Sequence, residues 1–250
     1  MVGRTITLVS AILASSAAMA QTTIIQSNTG IGCSSVCING NCTSTCEDGD
    51  SKAIKGNGEV VDKSYDIDDF TEIMSSDIDT KVTQGEKFEI IVTADSNLIE
   101  HVIVKKDKGT LSVKLKNGQY MGATLSVQIT MPDLHRLSQH GAAKLTFSGF
   151  DQSDLELNVM GAGQVEGADN LVTNLVLNTQ GASSLDMRSS ELTNAEIHVA
   201  GSSEIQLNFP EGKGRITGEI QGVSELQYCG DPDTNVNVFG VADIQRVNCS

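Results

Sequence analysis

The chain has 250 residues, with 17 Lys and Arg against 32 Asp and Glu, and a formal net charge of −15. So acidic a chain repels phosphate backbones and anionic lipid, which disfavours nucleic acid and membrane surfaces as partners. It has no Trp, 3 Pro and 24 Gly, and short Val, Ile, Leu and Thr runs alternate with Asn, Asp, Ser and Gly. No segment keeps a 3.6-residue apolar period over several turns, so the composition reads as β structure.

Residues 1–20 read as a secretory signal peptide. Arg4 precedes the apolar stretch from Ile6 to Ala14, and Ala18-Met19-Ala20 supplies a small-x-small cleavage site before Gln21. The stretch is too short and Ser-rich to span a bilayer, and no later apolar run is long enough. No Cys follows the cleavage site to carry a lipid anchor. Loss of Arg4 takes the charge of residues 21–250 from −15 to −16. Export is therefore expected, with a periplasmic, cell-surface or secreted destination and no membrane insertion.

Residues 21–58 form a cysteine-rich hairpin and linker. Six cysteines in an exported chain imply disulfides. Asn39-Gly40 lies at the centre of the segment Cys33–Cys46 and favours a two-residue type I′ turn. Facing residues then sum to 79, which sets Cys37 against Cys42 and Cys33 against Cys46 as non-hydrogen-bonded pairs, close enough to bridge. Four thiolates on zinc are the rival reading, but the spacing C-x3-C-x4-C-x3-C lacks the C-x2-C knuckle. Cys229 and Cys249 remain to pair with each other and pin the C-terminal tail to the coil beneath. The polar stretch 47–58 reads as a linker.

Residues 59–120 read as a smaller β part. Its strands are centred on 65–70, 77–82, 88–92, 101–104 and 111–115, with turns at Gln84-Gly85, Asp95-Ser96-Asn97 and Lys108-Gly109.

Residues 121–250 carry a repeat. Gly141, Gly161, Gly181, Gly201, Gly222 and Gly240 open the phrases GAAKL, GAGQV, GASSL, GSSEI, GVSEL and GVADI, at spacings of 20, 20, 20, 21 and 18. Four residues later stand Leu145, Val165, Leu185, Ile205, Leu226 and Ile244. Alternating strands such as Leu155-Leu157-Val159 precede the glycines, and Leu125-Val127-Ile129 reads as an earlier strand of this kind. The period suits one coil of a β-solenoid, with the aliphatics stacked inside and glycine at a crowded turn. The glycine phrases complete neither a dinucleotide fingerprint nor a nucleophile elbow.

Phe70-Thr71-Glu72-Ile73, Val82-Thr83-Gln84-Gly85, Ile91-Val92-Thr93-Ala94-Asp95, Gly109-Thr110-Leu111 and Met131-Pro132-Asp133-Leu134 precede the glycine phrases in that order. Over roughly 59–249 this resembles the putative autotransporter adhesin head GIN domain family of bacteria. The resemblance implies an all-β, right-handed parallel β-helix on an exported or cell-envelope protein, and it implies no catalytic residues. The hairpin Cys33–Cys46 is not part of the family pattern, and no outer-membrane barrel precedes Ser250.

Function then reads as an exported, non-enzymatic binding or adhesin-like module meeting a glycan or protein at the cell surface, with no cofactor. The alternatives are a β-helical polysaccharide-cleaving enzyme or a structural envelope protein. The enzyme would need clustered carboxylates with Arg or Lys, and basic residues are sparse in the repeats. His101, His135, His140 and His198 show no metal-ligand spacing. The candidate site is a polar stripe. Residues three and five after each glycine flank the inward aliphatic, so Glu204, Glu225 and Asp243 should form an outward column beside Gln206, Gln227 and Gln245. Such a stripe suits calcium or a hydroxyl-rich glycan, or it is a solvated face with its amides bonded along their own column.

Overall fold

The protein is described by a computed structural model covering residues 27–29, 33–38, 41–46, 53–210 and 214–249, with the backbone alone described through residue 46. The expected signal peptide lies outside the described residues. Two units divide at Lys52/Ala53. In the first, β1 (Ser27–Thr29), β2 (Cys33–Ile38) and β3 (Asn41–Cys46) form an antiparallel sheet. Its register sets Cys37 against Cys42 and Cys33 against Cys46, as the Asn-Gly turn requires. The side chains of these four cysteines, and hence their bridges, lie outside the described residues.

The second unit is almost wholly strand. Before the repeats come β4 (Ile54–Lys55), β5 (Val60–Tyr65), β6 (Glu72–Ser76), β7 (Asp79–Gln84), β8 (Glu89–Asp95), β9 (Val102–Asp107), β10 (Thr110–Leu115), β11 (Tyr120–Met121) and β12 (Leu125–Met131). The repeats give β13 (Arg136–Gly141), β14 (Lys144–Ser148), β15 (Asp151–Gly161), β16 (Gln164–Gly181), β17 (Ser184–Gly201), β18 (Glu204–Phe209), β19 (Arg215–Gly230) and β20 (Asp233–Val247). They stack in parallel as a β-solenoid with coils of about 20 residues.

Both columns read from the repeat are present. Leu145 pairs with Val165, Val165 with Leu185, Leu185 with Ile205, Ile205 with Leu226 and Leu226 with Ile244. All but the last are buried, and Ile244 is half-buried on the terminal coil. Each fully buried aliphatic stabilises by about 1.5–3 kcal/mol. The glycines stack from Gly141 to Gly240, with φ between 90° and 147°. A Cβ on Gly161, Gly181, Gly201, Gly222 or Gly240 would strike the carbonyl oxygen of the glycine beneath. Backbone angle and crowding thus exclude any other residue there. Just inside this corner Ser183, Ser203 and Ser224 are buried, and Ser203 bonds to both neighbours. At another corner Asn170 is buried. It accepts the Phe150 N–H and donates to Phe147 O and Ser190 Oγ.

The smaller β part departs from expectation. Strands β6 and β7 are themselves a coil, pairing in parallel with β13 and β14 above. On their other side lie β10 and β12, also parallel. The segment 110–131 is thus stacked beneath 72–84, although it follows it in sequence. Leu125–Ile129 therefore belongs with the strands after the glycine corner, because β12 pairs with β7 and β7 with β14. Inward–outward alternation is the same on both sides of the corner, so the sequence pattern could not separate them. In the 72–84 coil the corner residue is Asp77, at φ 57°, whose N–H donates to His140 O. Short polar Asp tolerates this left-handed backbone, which hides the corner from a search for glycine.

Antiparallel strands then close this end. β9 pairs with β10, β8 with β12 and β5 with β8. Residues 54–58, read as linker, belong to the closure. β4 pairs with β11, and Gly58 N–H donates to Asp95 Oδ1. Asp95 is fully buried, and its Oδ2 also accepts the Thr124 N–H.

Candidate functional site

The acid and amide columns stack in register. Glu204 pairs with Glu225 and Glu225 with Asp243, while Gln206 pairs with Gln227 and Gln227 with Gln245. The amides, however, bond across the coil instead of along their column. Gln206, Gln227 and Gln245 each donate Nε2 to the carboxylate two residues earlier, at 2.9, 2.6 and 2.6 Å. Each carboxylate is thereby held by its own coil. Among the described residues no group of three His, Cys, Asp or Glu side chains is gathered closely enough to hold a metal ion.

The sheet before the glycine corner presents a second, broader outer face. Here side chains do bond from coil to coil. Asn174 donates to Asp154 at 3.0 Å and Asn194 to Asn174 at 3.0 Å, while Asn178 donates to Asn158 at 2.9 Å. Identical spacing in each coil lets one amide's oxygen accept from the amide above, so the rows hold a fixed orientation. Where Asn194 meets Arg215, the face sinks into an open groove of about 470 Å³, lined also by Asn174, Val176, Glu196 and Thr217. Glu196 Oε1 accepts a hydrogen bond from His198 Nε2 at 3.1 Å.

Several charges on this face are paired. Arg136 bridges Glu72 at 3.1 Å and Glu156 at 2.8 Å, joining three successive coils. Hydrogen bonds from Asn158, and then from Arg136, hold the Glu156 carboxyl below the usual carboxylate range. Asp154 is lowered by bonds from Ser153 and Asn174. On the other side of the corner Arg188 grips Asp186 two residues away and lowers it. Of the carboxylates with displaced titration, each is lowered, so none is poised as a general acid near neutrality.

Two further grooves, of about 560 and 450 Å³, meet beside Tyr120 and share Asp77 and Leu115. The Tyr120 hydroxyl lies 3.2 Å from His101 Nδ1 and donates to Lys116 O at 2.9 Å. Sequence reasoning missed both this place and the groove at Asn194. The first depends on the reversed stacking of 110–131, and the second on outward residues that carry no motif. At the C-terminus Cys229 and Cys249 form the expected disulfide, with Cα atoms 5.0 Å apart.

Comparison with known proteins agrees with this geometry. Residues 69–175 match the family model described as putative auto-transporter adhesin, head GIN domain. The sequence matches no curated protein. Among solved structures, the chain is similar to a putative adhesin from Bacteroides fragilis, with TM-score 0.58 and 17% identity, over 78% of this chain and 100% of that one. A putative lipid binding protein from Parabacteroides distasonis gives TM-score 0.55 and 20% identity over the same shares. A putative adhesin from Parabacteroides merdae gives 0.50 and 17%, over 78% and 99%. At these identities the likeness is one of fold.

Proposed function

We propose that this chain, whose residues 69–175 match the family model described as putative auto-transporter adhesin, head GIN domain, is an exported, non-enzymatic binding module that takes a hydroxyl-rich glycan on its solenoid face. The observation that carries the reading is the ordered row of the Asp154 carboxylate and the Asn174 and Asn194 amides, running into the groove at Arg215. Fixed amides offer paired donors and acceptors to sugar hydroxyls without losing rotamer freedom on binding. The Cys229–Cys249 bridge supports export, since such bonds persist in oxidising compartments. The inward columns are filled by side chains, so a ligand has the outer faces to use.

A glycan array probed with the full chain, beside an Asn194→Ala, Glu196→Ala variant, tests this. Binding to a sugar class by the wild type, lost in the variant, is the expected result. Binding unchanged in the variant would move the ligand elsewhere. Release of reducing ends from a polysaccharide panel would replace the binding module with an enzyme. For the stripe Glu204, Glu225 and Asp243, calcium titration of the wild type against Glu204→Gln, Glu225→Gln tests a cation role.

A further inference from the structure

The sheet stops at β20. This strand pairs with β19 on one side and with no other described strand. Its orientation follows from two bonds. Asp233 N–H donates to Gly214 O, and Glu225, the residue beneath Asp243, donates to Ser203 O of the coil below it. Successive residues turn their N–H and C=O groups to opposite sides of a strand. Thr234, Val236 and Val238 before the corner, and Ala242, Ile244 and Arg246 after it, therefore face the free edge. Val236, Ala242 and Ile244 are also the residues that pack inward against the core.

That edge is symmetric. Residues 233–239 lead into Gly240 and residues 241–247 lead out of it, seven on each side. The corner is also where apolar surface collects. Phe239 and Val241 are 63% and 68% exposed, and Val223 beneath Val241 is 61% exposed. The inner coils hold Met160, Gln180, Ala200 and Gln221 in the place of Phe239, so only Met160 among them is apolar and large. Ala162, Ala182 and Ser202 stand one residue after their corner glycines, as Val241 does after Gly240. Large apolar side chains thus gather at the corner of the last two coils, and most fully on the coil with no described strand stacked on it.

We propose that this face is an interface for a second copy of the chain, the two solenoids meeting end to end through antiparallel β20 strands about a two-fold axis at Gly240. Facing residues then sum to 480. Val236 meets the partner's Ile244 and Val238 meets the partner's Ala242, as hydrogen-bonded pairs that continue the core. Phe239 meets the partner's Val241 beside the axis. Asn237 meets the partner's Asp243, and Asn235 meets the partner's Gln245. No pair sets like charges opposite. A shift by one residue would turn inward side chains against outward ones and unpair the edge. The result is an apolar centre inside a polar rim, closed by its own symmetry. The opposite end does not match it, because its sheet ends in two separate edge strands, β9 exposing Lys105, Lys106 and Asp107 and β5 exposing Asp62 beside Val60 and Val61.

Sedimentation velocity of the full chain over a micromolar concentration series tests the inference. A monomer–dimer equilibrium is expected for the wild type. Val241→Glu brings a carboxylate to the axis on each copy and should weaken the dimer about a hundredfold or more. The side chain is largely exposed, so the melting curve of the diluted, monomeric variant should match that of the wild type. An Asn237→Cys, Asp243→Cys variant should give dimers linked by disulfides under oxidation, whereas Asn235→Cys, Asp243→Cys should not. A wild type that stays monomeric overturns the proposal. So does open-ended growth into longer particles, or a dimer indifferent to both Val241→Glu and the choice of cysteine pair.

Discussion

The two ends of the solenoid solve one problem differently. A stack of coils leaves strand edge and core open wherever it stops. At one end the chain runs past its first coil, lays residues 110–131 beneath it, and covers these with antiparallel strands tied by buried Asp95. At the other end the last coil is held down by the Cys229–Cys249 bridge while its outer edge pairs with no other described strand. The first device covers the core of the first coil and ends the sheet in the short strands β5 and β9, and the second fixes the last coil without covering it. A sealed end and a pinned but open end suit a module that continues in one direction only.

Substitutions can separate these devices. The largest effect is expected in the middle, where both neighbours hold a coil in place. Gly201→Ala sets a Cβ against Gly181 O at φ 131° and should cost about 4 kcal/mol in urea denaturation. Gly240→Ala meets the same obstacle at Gly222 O, but its coil has no described strand above it and can lift away. It should cost about half as much. Equal costs would mean that the last coil is as confined as the inner ones.

At the sealed end, Asp95→Ala removes the buried carboxylate that accepts from the Gly58 and Thr124 N–H groups of the largely exposed segments 56–58 and 122–124. Losing these two charge-assisted bonds should cost about 3 kcal/mol, with faster amide exchange in β5, β8 and β12. At the pinned end, Cys229→Ser should cost about 3 kcal/mol on the loop-entropy model, with exchange rising in β20. Each variant should loosen its own end, and exchange spreading equally to both ends would argue against independent caps.

The smallest effect is electrostatic. Glu156 is lowered in the folded protein, so the unfolded chain binds its proton more readily. Its contribution is complete above the ordinary Glu value and fades as pH falls through the lowered one. Because the Arg136–Glu156 pair is partly exposed, the contribution should be under about 1 kcal/mol. Comparing Glu156→Gln with wild type from neutral pH down through the carboxylate range should show a difference that shrinks on acidification.

These ends were unequally legible in the sequence. The open end was readable because each coil repeats the same demands, glycine at the crowded corner and an aliphatic four residues on. Register then placed Glu204, Glu225 and Asp243 in one column. The direction of the glutamine bonds was not readable, since each amide can reach the carboxylate two residues back as well as the amide one coil away. The sealed end hid itself twice. Asp77 stands where other coils have glycine, and Gln139 puts a buried amide where the next coil has Val159. Its stacking order also runs against chain order, which no local pattern records. The groove at Asn194 depends on outward residues, whose types the core does not constrain.

The sealed end rests on that reversed stacking, which a pair of double-cysteine variants tests most directly. Lys114 is the register partner of Ser76, and Ser76 is the partner of His140 on its other side. The account predicts that Lys114→Cys, Ser76→Cys forms an intramolecular disulfide under oxidation, while Lys114→Cys, His140→Cys stays reduced because a coil lies between them. Bridging of 114 to 140 but not to 76 would place residues 110–131 in sequence order within the stack and contradict the account.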